Sequence, residues 1–172
     1  MRVRRKLEER VAVITGAGDK FFCIGGQKDG MEDTRLYAGT LPTLEMYEAI
    51  DRLQKPVIAS VNGFAVGGGH VLRVVCDMTI AKESATFRQV GPMVGSFDGG
   101  YGSGLLARHI GQKRSREVWY LCRQYGAAQA YDWGLVNEVV PALLTTMSSL
   151  PNASTAARVR PCAWSRSTVL QT

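Results

Sequence analysis

Histidine is almost missing from this 172-residue chain: His70 and His109 are the only two. Neither has a second ligand type at useful spacing, so no metal site is expected. Cysteine is scarce as well. Cys23, Cys76, Cys122 and Cys162 form no CxxC pair, and they read as reduced, mostly buried thiols of a cytoplasmic protein. No apolar run approaches the roughly 20 residues of a membrane helix. The first ten residues are basic, but Glu8 and Glu9 stand where a secretory signal has its apolar segment. The middle of the chain lacks net charge. Of the net +6, residues 1–10 contribute +3 and residues 151–172 another +3, while residues 11–150 hold 13 charges of each sign. Aromatic residues are not interleaved with the basic ones. The sequence therefore predicts no nucleic-acid partner and no membrane partner.

What is present is ordinary for a globular protein: 45% apolar and 21% charged residues, in a chain long enough for one domain with a core. Three segments are distinguishable: a basic N-terminal segment (1–10), a patterned core (11–141) and an atypical tail (142–172). Short β-branched runs at 10–15, 21–24, 56–64, 78–81 and 135–140 read as strands, each ended by glycine, proline or a polar turn. Helical spacing marks 44–53, with Thr43 as its N-cap and Pro56 beyond its end, then 71–75, 105–110, 115–121 and 129–133. Residues 83–87 read as a turn into an extended segment. Residues 27–40 and the glycine-rich 91–104 read as loops. Alternation of strand and helix through 11–140 predicts an α/β fold with parallel crossovers. The tail mixes Ser, Thr, Ala, Arg and Pro without a period, so it is expected to be disordered.

Two glycine breaks follow apolar strands: Cys23-Ile24-Gly25-Gly26-Gln27 and Val66-Gly67-Gly68-Gly69-His70. A strand that runs through glycines into a helix leaves backbone N–H groups pointing outward, and the helix terminus adds partial positive charge. Such a place can hold an anion, or an oxygen that becomes one during a reaction. Taken alone, the pattern serves equally for a phosphate loop or a plain turn.

The segment KPVIASVNGFAVGGGHVLRVVCDMTIA (55–81) resembles the signature of the crotonase superfamily, and TGAGDKFFCIGG (15–26) resembles that family's other oxyanion segment. The similarity runs from about Val11 to Val140. It implies a ββα superhelix, here an incomplete one, and chemistry on an acyl-CoA thioester whose enolate is stabilised by two backbone amides. By motif position these are the N–H groups of Gly26 and Gly68. A homotrimer or hexamer is also implied. The superfamily's hydratases use two glutamates, but Val71 and Gly91 occupy those positions, and neither can transfer a proton.

The run FRQVGPMVGSFDGGYGSGLLARHIGQKRSREVWYLCRQY (87–125) is similar to the 1,4-dihydroxy-2-naphthoyl-CoA synthases of menaquinone biosynthesis. These lyases close a ring by a Claisen-type condensation. It is similar also to 2-ketocyclohexanecarboxyl-CoA hydrolases, which open one. The resemblance implies that Ser96 and Asp98 line the site, with Asp98 moving protons or holding the second carbonyl. It implies substrate contacts at Gln27, Tyr37 and Gly91, and bicarbonate as a base in the space beside Gly91. Gln27 departs from the acidic residue common at its position.

Each residue has a plainer reading. Asp98 would cap turn amides, Ser96 would bond within its own turn, and Tyr37 would be a surface tyrosine. His70 is expected to be packed or exposed rather than catalytic. Lys113, Arg114 and Arg116 would meet CoA phosphates or form a solvated helix face. The family's preceding strand–strand–helix portion and its closing helices have no counterpart in this sequence. That predicts an unpaired edge on the first strand. It also leaves open a catalytically inactive piece that binds CoA or a homologous subunit.

Overall fold

Three times the chain runs strand, bend, strand, helix. In the first unit β1 (Ala12–Gly16) and β2 (Phe21–Cys23) precede α1 (Pro42–Asp51). In the second, β3 (Val57–Val61) and β4 (Phe64–Val66) precede α2 (Gly68–Val75). In the third, β5 (Met78–Lys82) and β6 (Thr86–Arg88) are followed by a 3-10 turn at Gly91–Val94 and by α3 (Gly102–Ile110). Then come α4 (Gln112–Leu121), β7 (Gln124–Gly126), α5 (Ala127–Asp132), β8 (Glu138–Val140) and β9 (Ala156–Val159). The computed structural model describes residues 11–25, 42–98, 100–143 and the strand at 156–159.

The first strand of each unit joins one sheet, ordered β8-β5-β3-β1-β9 and parallel throughout. The second strand joins another, ordered β2-β4-β6-β7, in which only β7 runs antiparallel to its neighbour. This is the α/β architecture expected from the alternation, a stack of ββα turns.

The strand expected over 56–64 is in fact two strands in two sheets, broken at Asn62-Gly63. The apolar run conceals the corner because β3 is buried throughout and β4 in part. Asn62 accepts a hydrogen bond from the Gly16 amide (3.1 Å) and donates to the carbonyls of Gly16 (3.3 Å), Gly18 (2.7 Å) and Phe21 (3.2 Å). One side chain thus ties the β3–β4 corner to the β1–β2 corner of the preceding turn. The Asn-Gly dipeptide was the available turn signal.

All five residues of β3 are buried, as a central parallel strand covered on both faces requires. Ala59 and Val61 point into the main core with Leu72, Val74, Phe87, Leu106, Val118 and Trp119. Ile58 points the other way and packs with Val13, Ile80 and Val140. Alternation along a strand produces that division.

Several local expectations need correction. α1 starts at Pro42, so Thr43 lies inside the first turn and not at the cap; proline suits that first position. α3 begins within the expected glycine loop, at Gly102. β7 was not foreseen: it has three residues, with only Tyr125 buried, too few for a period. The strand expected at 135–140 shortens to Glu138–Val140, because Asn137 turns its Oδ1 to the Thr79 amide at 2.8 Å.

The tail was expected to be disordered, yet Ala156–Val159 pairs with β1 in the register Val13↔Ala156 to Gly16↔Val159. It covers the β1 edge expected to lie open, and unpaired strand edges favour such addition. Residues 144–155 and 160–172 of the tail, the loop at 27–40 and the basic residues 1–10 lie outside the described residues. Cys23, Cys76 and Cys122 are buried. Among the described residues no helix is long and apolar enough to cross a membrane.

Candidate active site

The two glycine breaks meet. β2 ends against the first turn of α2, and a Cβ on Gly69 would stand 1.9 Å from the Cys23 carbonyl oxygen. Only glycine allows that approach. Two residues on, a Cβ placed on Gly25 would stand 3.4 Å from the Gly68 amide nitrogen. Gly67, at φ 56° and ψ −120°, turns the chain from β4 into α2. Its amide donates to the Arg88 carbonyl at 3.0 Å, and the buried Gln89 side chain reaches its carbonyl at 3.5 Å. From the other side, the Tyr47 hydroxyl donates to the Gly68 carbonyl at 3.1 Å. Gly67 and Gly68 are therefore held from two sides, by β6 with the residue after it and by α1, with the Gly68 N–H in the helix turn whose amides have no partner inside the helix.

Asp98 comes to the same place. Its carboxylate accepts the Gly100 amide at 3.2 Å and the Ser103 amide at 2.5 Å, capping α3. A Cβ on Gly102 would touch Val71 Cγ2 at 2.7 Å and Asp98 Oδ1 at 2.9 Å. The carboxylate and the Val71 side chain thus face Gly102 from two sides. Both its oxygens are oriented by backbone, and each keeps a lone pair. The plainer capping reading describes its hydrogen bonds fully, but the position across Gly102 from Val71 was not legible from the capping pattern.

Ser96 sits close to Gly91. Its amide donates to the Gly91 carbonyl at 2.9 Å. A Cβ on Gly91 would meet Ser96 O at 3.0 Å and Ser96 Oγ at 3.1 Å. The direction a side chain would take from Gly91 is therefore filled by Ser96. A small anion there would find one donor, the hydroxyl, and one opposing carbonyl.

Gly26, Gln27 and Tyr37 lie outside the described residues. Arg114 stacks over the Trp133 ring at 5.3 Å, while Lys113 and Arg116 are exposed, which matches a solvated helix face. Sequence reasoning missed Tyr47 and Gln89 as supports of the glycine turn. Tyr47 was counted with the apolar face of α1, and nothing local marks its hydroxyl.

His70 is packed, at 1% exposure, edge-on to Phe87. Its Nε2 lies 3.2 Å from Arg73 Nη2. A guanidinium only donates, so Nε2 accepts and the ring is neutral with its proton on Nδ1. Burial, and then the Arg73 charge, hold its pKa well below 6.5. The unfolded chain binds that proton as pH falls below its ordinary pKa, and the folded chain does not. The contribution is thus intact above about pH 6.5 and is lost progressively as pH falls below it. Urea midpoints above and below that pH should show the loss, and His70→Gln should reduce it. An equal loss in both proteins would refute the assignment.

Known proteins place this geometry. The sequence pattern described as enoyl-CoA hydratase/isomerase matches residues 2–154. Among solved structures, an enoyl-CoA hydratase from Bacillus anthracis is 35% identical with a TM-score of 0.70; the match covers 84% of this chain and 57% of that one. A probable enoyl-CoA hydratase/isomerase from Mycobacterium abscessus is 32% identical with a TM-score of 0.72, covering 82% and 56%. An enoyl-CoA hydratase from Polaromonas sp. JS666 is also 32% identical, with a TM-score of 0.72, covering 80% and 56%. The chain thus spans somewhat over half the length of these relatives. By sequence pattern, by fold and by the meeting of its two glycine breaks, it belongs to the enoyl-CoA hydratase/isomerase family of the crotonase superfamily.

Proposed function

We propose that this chain carries the enolate-stabilising site of an acyl-CoA enzyme that closes a ring by Claisen-type condensation, as dihydroxynaphthoyl-CoA synthases do. The observation that supports this best is the exchange of carboxylates. By the resemblance the two glutamate positions hold Val71 and Gly91, while Asp98 and Val71 flank Gly102 at the start of α3.

In this reading the thioester oxygen sits on the Gly68 amide, with the Gly26 amide as the second donor. Loss of the α-proton moves charge onto that oxygen, where fixed N–H dipoles stabilise it most. The carbon then attacks a second carbonyl of the same substrate. Asp98 is the group this chain offers for holding that carbonyl or moving its proton. Bicarbonate beside Gly91 belongs to the proposal only if Ser96 turns aside to make room, and its hydroxyl would then hold the anion. A homotrimer or hexamer is likewise proposed from the family.

Calorimetry with an acyl-CoA thioester against free CoA tests the site, and tighter binding of the thioester is expected. Product analysis tests the chemistry: a fused aromatic product supports condensation, and a ring-opened thioester acid would replace it by hydrolysis. Asp98→Asn should lower turnover about 100-fold, the usual scale for a lost proton-transfer group, while leaving thioester binding in place. Turnover of an enoyl-CoA to the hydroxyacyl product would overturn the reading. Absence of thioester binding by the folded chain would leave an inactive piece.

A further inference from the structure

A second polar site lies at the opposite end of α2 from Gly68. There a cavity of about 100 Å³, partly open to solvent, is lined mainly by polar groups. Arg73 forms its inner wall at 1% exposure. Its Nη1 donates to the Leu135 carbonyl at 2.8 Å, and its Nη2 donates to His70. Nε, fully buried, has no partner among the described residues.

A guanidinium stays charged in proteins, and a buried charge requires a counter-charge or a full set of acceptors. Arg73 has neither among the described residues. Neutral His70 supplies one lone pair. The Cys76 thiol on the same wall is pushed up to about 12, chiefly by burial, so it is not a thiolate. Asp77 reaches the cavity from an exposed position, but it gives its Oδ2 to the Val57 amide at 2.7 Å and forms no ion pair with Arg73. Asn137, on the facing wall, gives its oxygen to the Thr79 amide, which leaves its NH₂ as another donor. The lining thus presents a buried guanidinium without an ion pair among the described residues and the Asn137 amide donor, with room for a few water-sized groups.

We propose that this cavity binds a small monovalent anion, chloride or a carboxylate of formate size, against the Arg73 guanidinium. The anion fills the gap between α2 of the second ββα turn and the third turn, independently of the thioester site.

The test uses the full chain in sodium chloride or sodium gluconate at constant ionic strength. A ligand that binds only the folded state raises the thermal midpoint with concentration. The midpoint should climb by a few degrees with chloride and with formate and then level off, while gluconate, too large to enter, should have no effect. Chloride-35 linewidths should broaden in the presence of the protein. Arg73→Met should abolish both responses. Should that variant not fold, His109→Glu at the exposed cavity mouth places a carboxylate near the guanidinium and should also suppress the chloride response. Equal midpoints in chloride and gluconate would overturn the proposal, as would a chloride response unchanged in His109→Glu. Either would mean that water, or a carboxylate from another segment of the chain, answers Arg73.

Discussion

Replacing Gly69 by alanine is expected to abolish any preference of this chain for an acyl-CoA thioester over free CoA. The added Cβ would lie 1.9 Å from the Cys23 carbonyl oxygen, 2.4 Å from its carbon and 2.7 Å from Cys23 Cβ. Two of these are backbone atoms, so no rotamer change relieves the overlap. β2 and α2 would have to separate by about 1 Å to reach even a tight contact. Those two elements set the spacing between Gly25 and the Gly68 amide. Oxyanion donors work over a narrow range of distance, and the loss of one costs about 100- to 1,000-fold in turnover. Gly104→Ala is the matched control. Gly104 is exposed in α3 with nothing within 4 Å of its Cβ direction, so alanine there should stabilise by about 0.5–1 kcal/mol. Thioester binding that survives Gly69→Ala would show that the glycine contact does not set the site.

Asn62→Leu is expected to destabilise the chain by about 3 kcal/mol or more, measured from urea unfolding. The asparagine satisfies one buried amide and three carbonyls of the preceding corner. Leucine keeps the branching but its methyl groups are bulkier, so the loss combines missing hydrogen bonds with overpacking, and the near-isosteric Asn62→Asp separates the two. The Gly16 amide would be left buried without an acceptor, and a stranded buried donor costs more than the bond it made. Asn62→Asp should be at least as damaging, because a carboxylate would face three carbonyl oxygens. A loss below about 1 kcal/mol for either variant, the net worth of one ordinary hydrogen bond, would mean that water replaces the side chain.

These two residues also show where sequence reading stopped. The alternation of strands and helices was legible because each element carries its own apolar period. Gly68 and Asp98 could be singled out because they sit in long motifs. Gly69 was read only as part of a glycine run, since its need comes from Cys23, 46 positions upstream. Asn62 was absorbed into an apolar strand, although the corner it makes defines the two-sheet architecture. Arg73 passed as one more charged residue of a short helix, and its burial depends on Leu135 and Phe87 from distant turns. β9 has no pattern of its own, and its place is set by the open edge of β1.

The stacking of ββα turns has a consequence for how the molecule opens in time. Each turn is covered only by its neighbours, so fraying should begin at the outer strands and move inward, as in other stacked architectures. Under native conditions the amide protons of β3, buried along its whole length and flanked by β1 and β5, should exchange last with solvent deuterium. Those of β8, at the sheet's outer edge, should exchange early. Gly68, at the start of the helix that follows the slowest strand pair, would then keep its orientation through most of the chain's partial openings.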